Sequence, residues 1–341
     1  MRLAGNGKPF PLLFTFIPLF VFATMASRAP KRIRVPLNGV LLLDKPVGFS
    51  SNDALIKAKG LLNAQKAGHT GTLDPFATGV LPLCFGEATK FAQDLLDADK
   101  TYETLIHLGV STTTGDTEGE ILERKDVNVS REQIDAVLAQ FRGPIKQVPP
   151  MYSALKRDGK PLYEYARAGI TLEREARDVT IHTLEFLAYE APFLRLRVAC
   201  SKGTYIRVLG EDIGAALGCG AHLQELRRTQ VGHLTLDGCV TLEQLIATEP
   251  AERSVLLAPV DSLLLTFPEV LLSEPLAKRF LQGQRLTLTK EGVALPAEAG
   301  RVRVYLQPAD AISPRQLLGT AQLHEYGVLA PERLIATAQA A

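Results

Sequence analysis

Apolar and charged positions alternate most regularly past the middle of the chain. Leu194, Leu196 and Val198 interleave with Arg195 and Arg197, so Phe193 to Cys200 predicts a strand with one apolar and one basic face. Runs of the same character predict strands over residues 38–43, Val80 to Phe85, Tyr102 to Leu108 and Thr180 to Tyr189. Helical spacing lies between them. Ala54, Leu55, Ala58 and Leu62 follow a capping Ser50 or Ser51, and Phe91 and Leu95 stand four apart in a helix from Glu87 to Asp97. Ser130-Arg131-Glu132-Gln133 is a capping box that opens a helix to Phe141. Leu209, Ile213 and Leu217 share one side of a helix from Ile206 to Leu217, and Gly218 suits its C-terminus. Residues 111–119 form a Thr/Gly/Asp turn region.

Strands and helices mix without strict βαβ alternation, which predicts an α+β fold with a largely antiparallel mixed sheet. Residues 143–178 are rich in Pro, Gly and charge and are too long for a simple connection, a length that goes with function in compact domains. The pattern breaks again near Glu249-Pro250 and Ala258-Pro259, and the remaining chain has short apolar runs and turns. The expected organisation is an apolar extension over 1–30 outside the fold, a main domain over 31–250, a linker over 251–266 and a small β-rich module over 267–341. A chain of 341 residues has the length for this.

Composition narrows the function classes only a little. The chain is 46% hydrophobic and 22% charged with a net charge of +1, ordinary for a globular enzyme and not in itself the signature of a nucleic-acid binder. The distribution of charge says more. Arg195, Arg197, Lys202 and Arg207 form a basic run with no acid between them. Lys146, Lys156, Arg157, Lys160, Arg167, Arg174 and Arg177 lie in or beside the long irregular stretch. Such faces either track phosphates or are solvated surface. Cys84, Cys200, Cys219 and Cys239 include no C-x-x-C pair and no zinc spacing with the six histidines, so reduced, mostly buried thiols are expected. No Walker loop, Rossmann glycine motif or H-E-x-x-H occurs, and a reaction without cofactor or metal is the default.

The strongest chemical signal is Gly68-His69-Thr70-Gly71-Thr72-Leu73-Asp74-Pro75-Phe76-Ala77-Thr78-Gly79. One carboxylate stands in a glycine-rich loop, with an imidazole five residues upstream and an apolar strand downstream. Gly68, Gly71 and Gly79 permit positive φ or close approach, and Pro75 fixes φ just after the acid. The arrangement presents Asp74 to a ligand, or is an ordinary surface turn.

This loop resembles the G-H-x-G-x-L-D-P-x-A-x-G motif of the TruB-type pseudouridine synthases. Further segments similar to that family follow in order, among them Gly39 to Pro46, Gly86 to Lys90, Tyr152 to Lys156, Leu162 to Arg167, Cys200 to Arg207 and Gly218 to Leu223. Together they span about residues 38 to 245. The resemblance implies isomerisation of uridine to pseudouridine in the T-loop of tRNA, at position 55, with Asp74 as nucleophile or general base. It implies Arg207 beside the aspartate, where bidentate pairing would orient the carboxylate; phosphate contact is the alternative. Tyr102 would stack on the target base, Tyr205 would be a second site tyrosine, and Leu226 would close on the base, although its spacing alone reads as core. His69 would fill the space left by a flipped nucleotide, or only bond its own loop. Lys45 would support the pocket or meet phosphate. Tyr152, Lys156, Arg157, Lys160 and Arg167 would form an RNA clamp that orders on binding. A PUA-like RNA-binding module is implied for residues 267–341; a structural cap is the alternative. Asp74 has no paired acid motif for magnesium, which argues against an aspartyl-phosphate enzyme. A guide-RNA-dependent synthase and a tRNA-binding or tRNA-folding protein without catalysis are the rival readings.

The expected setting is a cytoplasmic monomer with tRNA as its partner, no obligatory protein partner and no membrane. The N-terminus is discordant. Phe10 to Ala26 is apolar, follows Arg2 and Lys8 and ends in small residues, similar to a secretory signal, but it contains Pro11 and Pro18 and is short for a spanning helix. Because the rest resembles an RNA enzyme, a start at Met25 is the preferred expectation, with a signal or anchor as the alternative.

Overall fold

The structure, a computed structural model, describes residues 33–308, 310 and 315–335. The expectations for the first 30 residues lie outside the described residues. Strands β1 (Gly39–Lys45), β2 (Ala67–His69), β3 (Thr78–Phe85) and β4 (Lys100–Leu108) come first, followed by a hairpin of β5 (Val110–Thr112) and β6 (Ile121–Arg124). Next are β7 (Gly143–Gln147), a small hairpin of β8 (Lys156–Arg157) and β9 (Lys160–Pro161), then β10 (Arg177–Glu190), β11 (Phe193–Cys200), β12 (Ala221–Val231), β13 (Leu234–Thr235) and β14 (Val240–Thr241). They build a sheet in the order β14-β1-β3-β12-β4-β11-β10-β7, with β2 on β3 and β13 on β12. The β1–β14 and β3–β12 pairs are parallel and the others antiparallel, as the mixed pattern predicted.

Helices α1 (Ser51–Leu61), α2 (Ala92–Leu96), α3 (Arg131–Gln140), α4 (Leu162–Arg167), α5 (Ile206–Ala216) and α6 (Leu242–Ala247) surround this sheet. Local chemistry explains their ends. Ser50, not Ser51, caps α1 by accepting from the Asp53 amide, which leaves Ser51 free for another task. The capping box at Ser130 and Gln133 is formed, and Gly218 ends α5 with φ +82°. The helix expected from Glu87 splits into a 3₁₀ turn over Gly86–Phe91 followed by α2.

β3 is central and buried on both faces, which its unbroken apolar sequence requires. Leu81, Leu83 and Phe85 enter the core with α1, α3, α5 and α6, while Val80 and Cys84 meet Phe91 and Leu95 on the other side. Pro82 is tolerated because β12 leaves β3 after Gly79 and β2 joins only from Leu83, so no second ladder needs its missing amide. The loop bearing Asp74 closes over that gap.

A second sheet, β15 (Glu269–Leu272), β16 (Leu286–Thr287), β17 (Gly300–Leu306), β18 (Gln316–His324) and β19 (Val328–Leu334), runs β15-β17-β18-β19-β16 and packs with α7 (Glu274–Leu281) around Phe280, Val304 and Leu329. Residues 251–266 are packed between the sheets. Ala258 exchanges two backbone hydrogen bonds with Val40, and Leu263 and Leu264 are buried beside Val80. Burying each leucine stabilises this connection by about 1.5–3 kcal/mol. Arg301 also ion-pairs with Asp94, and Lys90 donates to the Leu334 carbonyl.

Candidate active site

The loop between β2 and β3 is held at its backbone by four side chains and amides. Ser51 Oγ accepts from the Leu73 amide at 2.7 Å and donates to the Leu73 carbonyl at 3.1 Å. Lys45 Nζ donates to Pro46, Phe49 and Pro75 carbonyls at 2.9, 2.6 and 3.3 Å. The Gly48 amide donates to Pro75 at 2.8 Å, and Arg228 reaches the Gly71 carbonyl at 3.3 Å. A buried backbone group left without a partner costs about 1–3 kcal/mol, so this accounting fixes the loop in one conformation. Gly71 and Gly79 take the expected positive φ, +86° and +104°. Gly68 does not, and it has open space around it; its place in β2 asks nothing special of it.

Arg207 projects from the first turn of α5 into this loop, 4% exposed against 34% for the Asp74 side chain. Its Nε donates to Asp74 Oδ2 at 2.9 Å, Nη1 to the Thr114 carbonyl at 2.9 Å and Nη2 to the Tyr152 carbonyl at 2.6 Å. The bidentate pairing expected from sequence is therefore absent. The guanidinium divides its donors between one carboxylate oxygen and two carbonyls, and among the described residues Asp74 Oδ1 has no donor. Buried Asp116 lies 3.5 Å from the same Nε and accepts from Thr114 Oγ1 and the Glu118 amide. Burial pushes the Asp74 carboxyl above the usual range; Arg207 opposes this and the Asp116 charge adds to it.

Tyr102 of β4 pairs with Arg228 of β12. Burial pushes its phenol up, and the Arg228 guanidinium beside it pulls the other way. Tyr205 stands just before α5 and is tied by its backbone to the Gln147 amide group, with its phenol also raised by burial. The Asp74 charge reaches both phenols and Lys45. Leu226 lies two residues before Arg228 and so shares the Tyr102 face; it is 7% exposed and belongs to the core. His69 ends β2, its Nδ1 buried without a hydrogen bond, and burial with the Arg228 charge holds its imidazole below the ordinary value. Lys45 is fully buried, with its ammonium on the Pro46, Phe49 and Pro75 carbonyls. Burial lowers its ammonium to about 8.

The remaining basic residues separate into two groups. The run that starts on β11 is paired with acids: Arg195 with Glu225 and Arg197 with Glu103 and Glu185 from neighbouring strands, and Lys202, beyond β11, with Asp97 at the end of α2. Of the two readings open for this run, these pairs favour charged, solvated surface. Lys156, Arg157 and Lys160 are exposed on the β8–β9 hairpin, whose Asp158-Gly159 turn has φ +50° and +80°. Among the described residues these three have no acidic partner. Arg167 lies over the Tyr163 ring at 5.3 Å, and Tyr152 joins the hairpin to Arg207 through its carbonyl. Among the described residues no group of three or more His, Cys, Asp or Glu is placed to hold a metal ion.

Sequence reasoning missed Ser51, Asp116 and Arg228. Asp116 read as one polar residue in a turn region, and Arg227-Arg228 gave no sign of which guanidinium turns inward. Strand alternation offered the one usable signal: Arg228 shares its face with Leu226.

Comparison with known proteins gives this geometry a family. The TruB family pseudouridylate synthase N-terminal domain matches residues 59–206, the tRNA pseudouridylate synthase B C-terminal domain residues 207–265, and the pseudouridine synthase II TruB C-terminal domain residues 268–335. A tRNA pseudouridine synthase B of Burkholderia mallei is 62% identical over 92% of this chain and 99% of its own length, and that of Ralstonia pickettii is 62% identical over 90% and 97%. Among solved structures, a Cbf5-Nop10-Gar1 complex superposes with a TM-score of 0.65 at 28% identity, covering 87% of this chain and 84% of its counterpart. The chain belongs to the TruB family of pseudouridylate synthases.

Proposed function

We propose that this chain isomerises uridine to pseudouridine at position 55 in the T-loop of tRNA, as a cytoplasmic monomer without an obligatory protein partner, with Asp74 as its catalytic carboxylate. The observation that carries the reading is the one-sided Asp74–Arg207 contact. Buried Arg207 occupies Oδ2 and leaves Oδ1 without a donor among the described residues, on a side chain that is one-third exposed. The curated relatives, about 60% identical and named for tRNA, support tRNA as the substrate. Among the described residues no helix is long and apolar enough to cross a membrane.

The reaction breaks N1–C1′ and forms C5–C1′ within one nucleotide; C5 loses a proton and N1 gains one. Attack on the sugar, attack on the base and elimination each use an ionised carboxylate at one place. Arg207 opposes the upward push of burial on the Asp74 carboxyl and fixes its orientation. Tyr102 supplies an aromatic face for the flipped uracil and a phenol for the C5 proton. Flipping costs a few kcal/mol of lost stacking. Burial and the Arg228 charge disfavour the charged imidazole of His69, which suits it to fill the vacated space without placing a buried charge there. Lys156, Arg157, Lys160 and Arg167 with Tyr152 clamp the backbone of the hairpin RNA.

The test is incubation of the purified protein with an unmodified tRNA transcript and nothing else, followed by mapping of pseudouridine. One modified T-loop uridine is expected. Conversion elsewhere, or only with added protein or guide RNA, would overturn the reading.

A further inference from the structure

Arg228 lies where the catalytic loop, β3 and β4 cross, and the chemistry above gives it no part. It is among the largest fully buried side chains, 1% exposed. β12 pairs with β4 on one side, placing Arg228 opposite Tyr102, and with β3 on the other, placing it opposite Gly79. Its side chain then spans three carbonyls: Nε to Val80 at 2.8 Å, Nη2 to Gly71 at 3.3 Å and Nη1 to Thr72 at 3.5 Å. Among the described residues it has no carboxylate partner. A buried cation without a carboxylate partner is expensive to keep, and an apolar side chain of similar volume would fill a purely structural position at lower cost.

We infer that Arg228 is a positioning residue for the isomerisation: it fixes the Gly71–Thr72 stretch that carries Asp74 and holds the Tyr102 ring in register with that carboxylate. The claim rests on the proposed roles of Asp74 and Tyr102. Two electrostatic consequences accompany the geometry. The guanidinium draws the buried Tyr102 phenol down, and it disfavours a charged His69. One side chain thus couples the acid loop, the base-facing ring and the imidazole.

Arg228→Lys keeps the charge and the strand register but reaches one carbonyl at a time. It should fold, bind T-loop RNA within about threefold of the unaltered chain, and lose about 100-fold in single-turnover rate, the order expected for small misplacement of reacting groups. Arg228→Met removes the charge, and the His69 midpoint measured by NMR should then rise. An Arg228→Lys rate within threefold of the unaltered chain would overturn the inference, as would an unmoved His69 midpoint in folded Arg228→Met. Failure of Arg228→Lys to fold would assign the residue to folding and overturn it as well. If the unaltered chain itself modifies no tRNA, the catalytic reading fails, while the His69 titration still reports on Arg228.

Discussion

Replacing Gly79 with alanine should separate the two strands that carry the site. A Cβ built at Gly79 lies 2.1 Å from the Arg228 carbonyl oxygen and 2.9 Å from the Arg228 amide nitrogen, all of it backbone. No rotamer relieves that overlap, so β3 and β12 must move apart by more than an ångström before ordinary contact at about 3.4 Å is restored. Gly79 also has φ +104°, where an alanine is strained by roughly 1–3 kcal/mol. Overpacking adds about 1–3 kcal/mol, giving a loss of about 2–6 kcal/mol. For a chain of 341 residues this lowers Tm by about 3–8 °C. Gly68→Ala provides the contrast, because that glycine has no positive φ and nothing within 4 Å of its added Cβ. It should change stability by less than about 0.5 kcal/mol. Thermal melting of both variants, with tRNA modification measured on each, is the assay. Equal melting temperatures for the two variants would refute the argument that the β3–β12 contact requires glycine.

Further outcomes follow from the charges. Stability should rise with pH between about 8 and 9: Lys45 and Lys100 release their protons at about 8 when folded but near 10.5 when unfolded, so the unfolded state holds more protons there. Above 9 the trend should reverse, because Cys84, Cys200 and Cys239 are pushed up to about 12, 11 and 12 and ionise first in the unfolded chain; denaturant melts across this range with Lys100→Met check the rising limb, which that variant should shorten. The raised Asp74 carboxyl predicts that the single-turnover rate falls with acidification at a higher pH than an ordinary carboxylate near 3.8 would give, a pH–rate profile on tRNA being the measurement. Replacing Lys156, Arg157 and Lys160 together with alanine should lower the salt slope of RNA binding by about 2–3, at about 0.7 to 0.9 per lost phosphate contact. Arg195→Ala should leave that slope unchanged, because its guanidinium already pairs with Glu225.

The sheet and most helices were legible because period and capping chemistry are local. Leu194, Leu196 and Val198 turn inward as their alternation required, and Ser130 with Gln133 closes the box its spacing announced. Asp74 was legible because glycines and a proline frame it. The basic run starting on β11 stayed open between phosphate tracking and solvated surface because its pairing acids, Glu103 and Glu225, arrive from other strands. Arg228 was signalled only by the face it shares with Leu226, since the carbonyls that satisfy its guanidinium, on Val80, Gly71 and Thr72, come from far along the chain. The long stretch after residue 143 concealed an edge strand and a two-residue Asp158-Gly159 turn, a hairpin signal that was present in the sequence and not used.

The central claim is that one oxygen of Asp74 reaches the nucleotide while the other is held by Arg207. Asp74→Asn keeps the shape and removes the charge, so single-turnover conversion of a T-loop uridine by that variant, with RNA affinity measured in parallel, tests it most directly. The account predicts a loss of more than about 1,000-fold in rate with affinity within about tenfold. Conversion at a rate near that of the unaltered chain would contradict it.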